Sequence, residues 1–230
     1  FRHEEDTYLI PEGAQSNKIE IFKIDQDSLV KVNTVIDGFA GVDPTIVEHN
    51  NDWYIFATDG RMGGHSYLNI FYAKNPLAEW TAHSLNPVKI NLSNSRGGGS
   101  MFKEGDSLIR PTQNCFPEYG TSLVFNKIEQ LSPYEFKETV VGELKPSENS
   151  IFKGIHTFSK NKEALVVDLK TNEYFPFARF VTLLRARVKS DDAGMIAENS
   201  LFKRIAVIFL FLVFVILIYL FGWRALSLFV

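Results

Sequence analysis

The stretch Gly41 to Asp59, GVDPTIVEHNNDWYIFATD, decides how the rest of the chain is read. Two β-rich runs flank the polar triplet Asn50-Asn51-Asp52, which predicts a strand, a tight turn and a returning strand. Thr45, Ile46 and Val47 are β-branched, and Trp53, Tyr54, Ile55 and Phe56 supply the broad side chains that fit a pleated surface. Asp43-Pro44 stands at the start of the first strand, where proline removes no ladder hydrogen bond. A lone hairpin is marginal in water, so this one requires neighbours.

The chain supplies them. The same pattern recurs around Glu4-Glu5-Asp6, around Lys103-Glu104-Gly105-Asp106 and around Ser159 to Glu163. Successive turns lie roughly 46, 54 and 57 residues apart, near the period of a four-stranded propeller blade. Each of the first three hairpins is followed by a third strand-like run, Lys18 to Ile24, Tyr67 to Ala73 and Thr121 to Ile128. A more polar fourth run comes next, at Leu29 to Val35, Glu79 to Ser84 and Phe136 to Leu144. Four-stranded units repeated radially predict an all-β chain, a partial β-propeller over residues 1–174, against the competing architecture of an antiparallel sandwich. Because Phe1 falls inside what reads as a first hairpin, earlier blades are expected to be missing.

Composition narrows the function classes. The 230 residues carry 24 basic against 27 acidic side chains, which excludes the electrostatic footprint of a nucleic-acid binder. One cysteine, Cys115, rules out an internal disulfide framework, and the five histidines show no metal-ligand spacing, so no metal or cofactor is expected. Asp25-Gln26-Asp27 is formally a DxD triplet, but between two strands aspartate reads as a turn former. Asn91-Leu92-Ser93 is a glycosylation sequon that matters only on a luminal face.

After Phe175 the character changes. Residues 175–204 mix Phe180, Val181, Leu183, Leu184 and Val188 with Arg179, Arg185, Arg187 and Lys189, the pattern of a basic amphipathic linker at a membrane surface. Residues 205–223, IAVIFLFLVFVILIYLFGW, contain no charge. A helix of that length rises about 28 Å, close to the hydrocarbon core, so a transmembrane helix is predicted, followed by a short tail over 224–230. Lys203 and Arg204 precede the span and Arg224 follows it, a bias that favours a cytosolic domain.

Candidate chemistry follows from the hairpins. The start of each first strand and the end of each second lie at the same edge of a blade, where the sequence repeatedly puts polar residues: Glu12, Asp43 with Asp59, Arg110 with Gln113, and His156 with Asp168. A pair of carboxylates is what glycosidic chemistry uses, one as acid and one as base or stabiliser, and Glu12 and Asp43 are the candidates for catalysis. Asp59, Arg110, Gln113, His156 and Asp168 are the candidates for holding substrate. Trp53, Tyr54, Trp80 and Tyr119 could stack on sugar faces, although Trp53 and Tyr54 sit mid-strand and fit inter-blade core better. Cys115 has no basic neighbour in sequence to activate it and reads as a bystander.

The segments YLIPE, VDPTIVEHNNDWYIFAT, NIFYAKNPLAEWTAHSLNPV, LIRPTQNCFPEYGTSLVFNKIEQLSPYEFKE and GIHTFSKNKEALVVD resemble the propeller-type domain of the glucosamine inositolphosphorylceramide transferases over about residues 1–170. The RPTQNC…YG run is the most specific part of the resemblance. It implies a Golgi membrane protein serving sugar addition to sphingolipids, with a separate glycosyltransferase domain that this chain lacks. The aspartate-proline strand starts also resemble the five-bladed propellers of arabinanases and invertase-type glycosidases, which implies a central acid/base pocket; only Asp43 and Glu12 carry over to it. The expected function is a membrane-tethered carbohydrate- or glycolipid-binding propeller, five-bladed when complete, with a glycosyltransferase domain or subunit as partner. The alternatives are a glycoside hydrolase-like enzyme and a non-catalytic scaffold for a transferase.

Overall fold

A computed structural model describes residues 1–161 and 163–171. The segments 175–204, 205–223 and 224–230 lie outside the described residues, within which no helix is long and apolar enough to cross a membrane.

Among the described residues fifteen strands form four antiparallel sheets. The first holds β1 (Arg2–His3), β2 (Asp6–Leu9), β3 (Lys18–Asp25) and β4 (Ser28–Asp37) in that order. The second holds β5 (Gly41–His49), β6 (Asp52–Asp59), β7 (Tyr67–Ala73) and β8 (Thr81–Ala82), with β9 (Lys89–Ile90) also on β7. The third holds β10 (Phe102–Glu104), β11 (Ser107–Asn114), β12 (Ser122–Leu131) and β13 (Phe136–Leu144). The last is the hairpin of β14 (Phe152–Lys160) and β15 (Leu165–Thr171). The order follows the sequence in every sheet, as the repeat predicted.

The hairpin of residues 41–59 forms as expected. Asn50 and Asn51 take φ of 51° and 64°, the left-handed pair of a two-residue hairpin turn. The position of Asp43-Pro44 differs from the expectation. These residues lie inside β5, at a register jump between Val42 and Thr45 that takes both out of the ladder. Proline is tolerated because of this bulge, not because it begins the strand.

Both faces of β6 are covered, which explains its unbroken apolar run. Trp53, Ile55 and Ala57 pack with Ile19, Ile21 and Ile36 of the first sheet, while Tyr54 and Phe56 pack with Leu108 and Ile128 of the third. Leu123 then packs with Ile155 and Phe158 of the last hairpin. Consecutive sheets thus pack face to face, with the second and third each covered on both sides, the stacking of propeller blades.

The fourth run of the second blade is shorter than expected. Instead of Glu79 to Ser84, only Thr81–Ala82 pairs, against Phe71 and Tyr72, and Lys89–Ile90 pairs further along β7. Between them the Asn86 amide substitutes for backbone: Oδ1 accepts from Ile70 N at 2.8 Å and Nδ2 donates to Ile70 O at 2.7 Å.

Glycines set how closely the last hairpin approaches the third blade. A Cβ at Gly154 would fall 2.1 Å from Gly120 O, and one at Gly99 would fall 1.9 Å from Phe158 O. Across this seam Ile155 N donates to Gly120 O and Phe158 N to Gly98 O.

Candidate functional site

The inner edge of the third blade is completed by residues 96–98, which run beside β11: Gln113 N donates to Arg96 O and Gly98 N to Pro111 O. That run sets Arg96 next to the bulge of β5. Arg96 Nε donates to Asp43 Oδ2 at 2.7 Å, and Gln113 Nε2 donates to the same oxygen at 2.7 Å. Asp43 itself has φ of 47°, unusual for a residue with a Cβ and a form of strain that gathers at ligand sites. Its backbone N donates to Glu12 Oε2 at 3.3 Å. With Oδ2 committed twice, Oδ1 is the oxygen left without a partner among the described residues. Gln113 is 1% exposed, also donates to Gly97 O, and buries an Oε1 that has no partner.

The connection between β6 and β7 adds a further group. Arg96 Nη1 lies 3.0 Å from His65 Nδ1. Guanidinium can only donate, so Nδ1 carries the lone pair and Nε2 the hydrogen. Burial and the Arg96 charge push the His65 imidazole below its ordinary value, with Asp43 opposing, so the ring is neutral near pH 7.

The β11–β12 connection contributes Tyr119, which is 40% exposed. The Arg96 guanidinium lies 4.8 Å from the centre of its ring, and the rings of His65 and His156 approach it at 5.8 and 5.3 Å. His156 comes from β14, and its Nδ1 lies 2.6 Å from Asp168 Oδ2 on β15. The other oxygen of Asp168 accepts from Thr157 N at 2.7 Å, fixing the carboxylate. A neutral His156 in this arrangement donates from Nδ1 and offers its lone pair at Nε2.

Four blade edges therefore bring Glu12, Asp43, Gln113, His156 and Asp168 to one end of the fold. Asp59 and Arg110 do not join them. The Asp59 carboxylate caps the turn Gly60–Met62 and grips Arg61 at 2.9 and 3.1 Å, and those hydrogen bonds hold its carboxyl below the usual range against the effect of burial. Arg110 is 1% exposed, between blades. It gives two hydrogen bonds to Glu138, at 2.8 and 2.7 Å, and others to the carbonyls of Asn94 and Ser95. Arg110 satisfies buried backbone and a buried carboxylate, and that is why a strand end can be so polar.

Arg96 and His65 were not singled out by sequence reasoning. Both sit in glycine-rich runs, Gly63-Gly64-His65 and Arg96-Gly97-Gly98-Gly99, whose lone polar side chains were the available signal. Of the four aromatic candidates, Trp53, Tyr54 and Trp80 are buried, and Tyr119 alone is presented at the site. Burial pushes the Cys115 thiol up despite Arg96 nearby, so it is not an activated nucleophile. Among the described residues no group of three or more His, Cys, Asp or Glu is arranged to hold a metal. A groove of ≈ 410 Å³, lined by Asp52, Tyr72, Lys74 and Glu79, lies at the other end of the β5–β6 hairpin and includes none of these side chains.

Comparison with solved structures shows a propeller-like fold similar to that of family 43 glycoside hydrolases. An α-L-arabinofuranosidase from Clostridium thermocellum superposes with a TM-score of 0.51 at 11% identity, over 76% of this chain and 63% of that one. The Bacteroides ovatus protein GH43B superposes with a TM-score of 0.50 at 14% identity, over 75% and 35%. At such identities the likeness is one of fold. By sequence, residues 1–175 match the family described as glucosamine inositolphosphorylceramide transferase 1, N-terminal, and the chain belongs to that family. The rice transferase of that name (Oryza sativa subsp. japonica) is 30% identical over 147 residues, 61% of this chain and 20% of the relative. The Arabidopsis thaliana one is 30% identical over 148 residues, 61% of this chain and 19% of the relative. The chain thus spans about a fifth of the curated relatives it matches.

Proposed function

We propose that this domain binds carbohydrate at the Asp43–Arg96–Tyr119 end of the propeller and serves sugar transfer to inositolphosphorylceramide-type sphingolipids. The observation that carries the reading is the convergence of side chains from four blade edges around a strained aspartate, beside one exposed aromatic ring. A pyranose offers hydroxyls to Asp43 Oδ1, His65 Nε2 and His156 Nε2, and a C–H face to Tyr119. Buried polar groups flanked by an aromatic surface are the usual make-up of such a pocket. The family match supplies the sphingolipid context.

We further propose that the uncharged run 205–223 tethers the domain to a membrane, on the strength of its length and composition alone. The transferase step belongs to a glycosyltransferase domain or subunit that acts with this one.

Calorimetric titration of the full chain with inositolphosphoglycans and a panel of neutral oligosaccharides tests the reading. Binding is expected for the wild type and is lost in Asp43→Asn and Tyr119→Ala. No heat from any glycan would overturn it in favour of a scaffold. Glu12→Gln in the same assay separates binding from hydrolysis: binding survives, whereas a hydrolase using Glu12 as its acid would lose turnover by about 100-fold or more.

A further inference from the structure

The contact between His65 and Arg96 has a sign that depends on one proton. Arg96 Nη1 donates to His65 Nδ1 at 3.0 Å, so the contact exists only while that nitrogen is unprotonated. The same guanidinium holds Asp43 through Nε at 2.7 Å and lies 4.8 Å from the centre of the Tyr119 ring. One side chain therefore joins three of the groups assigned to the ligand. Its position depends on an imidazole acceptor and on the carbonyl of Gly64, which accepts from Nη1 at 3.4 Å.

We propose that His65 is a proton-operated latch on the carbohydrate site: neutral, it seats Arg96 against Asp43; protonated, it expels Arg96 and lowers affinity. The inference rests on the carbohydrate-binding reading for its consequence and on the His65–Arg96 geometry for its cause. Two like charges in contact inside a partly buried site repel by several times what a surface pair would. Arg96 cannot give up its proton, so it must move.

The titratable and charged groups around His65 are Arg96 from the inner edge of the third blade, Asp43 from β5, and Tyr119 from the β11–β12 connection. Beyond the Tyr119 ring stands the His156–Asp168 pair. Asp43 alone among the nearest groups favours the charged imidazole, and it is already engaged by Arg96. Burial and Arg96 both favour the neutral ring, which places the transition below the ordinary histidine value of 6.5.

The test compares glycan affinity from pH 7.5 to 5 for the wild type, His65→Asn and His156→Gln, with ring-proton NMR titration of His65 in the ligand-free chain. An asparagine carboxamide oxygen can stand where Nδ1 stands and accept from Arg96, but it does not titrate. Wild-type affinity is expected to fall by up to about tenfold per pH unit below the transition, the limit for one linked proton. His65→Asn, which gives up the Nε2 contact, is expected to bind more weakly at pH 7.5 and to lose that fall; His156→Gln keeps it. An unchanged pH dependence in His65→Asn overturns the latch. So does a His65 titration at or above 6.5. If no glycan binds at any pH, the carbohydrate reading fails, and the latch is judged on the NMR titration and on the Arg96 Nε–H resonance, which must shift with His65.

Discussion

Arg110 shows how a residue's chemistry can be legible while its role is not. A polar strand end at Arg110-Pro111-Thr112-Gln113 suggested a pocket, but its two long polar side chains go separate ways. Gln113 reaches Asp43, while Arg110 runs between blades to Glu138, where burial would raise the carboxyl but Arg110 and then Lys89 hold it below its usual range. Nothing local separates the two fates, because Glu138 is 28 residues away in sequence. Arg110→Ala is expected to cost about 3–5 kcal/mol in urea unfolding, because it breaks a buried pair, leaving Glu138 with Lys89 alone and the Asn94 and Ser95 carbonyls without their donor. The double variant Arg110→Met with Glu138→Leu is expected to recover part of that loss, since Lys89 is then left without its carboxylate. Its glycan affinity should equal the wild type's, since neither residue touches the site. A double variant that folds but binds weakly would move Arg110 back into the pocket. Asp43, by contrast, could be found from sequence by its aspartate-proline pair, although the strain at its φ and its clamp by Arg96 could not.

At the scale of elements, the hairpins were readable because their turns carry local signals: Asn50-Asn51, Glu4-Glu5 and Gly105 need only nearest neighbours to specify them. The seams between blades were not. Gly97-Gly98-Gly99 carries no packing signal of its own in sequence, yet Gly99 is required by Phe158 O and Gly98 accepts a strand bond from Phe158 N. Glycine here permits close approach, and the partner backbone that demands it is remote in sequence. The last hairpin gives the cleanest test. Gly154→Ala puts a methyl within 2.1 Å of Gly120 O, and rigid backbone on both sides leaves no side chain to swing away. A loss of about 1–3 kcal/mol is expected. Because β14 and β15 carry His156 and Asp168, glycan affinity should fall in the same variant. At Gly142 the nearest atom to an added methyl is Phe125 Cδ2 at 3.9 Å, so Gly142→Ala should stay within about 0.5 kcal/mol and bind normally. Equal stability for the two variants would mean the seam yields, and with it the argument that glycines fix the hairpin.

At the scale of the whole molecule, sheets stacked face to face have interiors that must exclude or neutralise charge, and this sets how the fold responds to acid. Two groups give opposite-looking chemistry with the same sign. The Glu138 carboxyl lies below its ordinary 4.5 in the fold, where Arg110 and Lys89 outweigh the cost of burial, so the unfolded chain takes up the proton first. Its contribution is complete above that ordinary value and is lost as pH falls through it. The His65 imidazole lies below its ordinary 6.5, so again the unfolded chain protonates first and stability drains as pH falls, beginning at a higher pH. Urea midpoints are therefore expected to be flat from pH 8 to 7 and to decline gently below 6.5. A steeper decline should begin below 4.5. His65→Asn should shrink the upper step alone, leaving the share of His49, whose imidazole burial and then Lys103 also hold below its ordinary value. Glu138→Gln should start from a lower midpoint, because Arg110 and Lys89 are left facing a neutral amide, and should shrink the lower step alone, leaving the share of Asp59. The two windows separate the site from the scaffold: loss of glycan binding in the upper one, with the fold intact by far-UV circular dichroism, is what a latch at His65 requires. Binding and unfolding lost together in the lower window would instead trace both to the Glu138 seam.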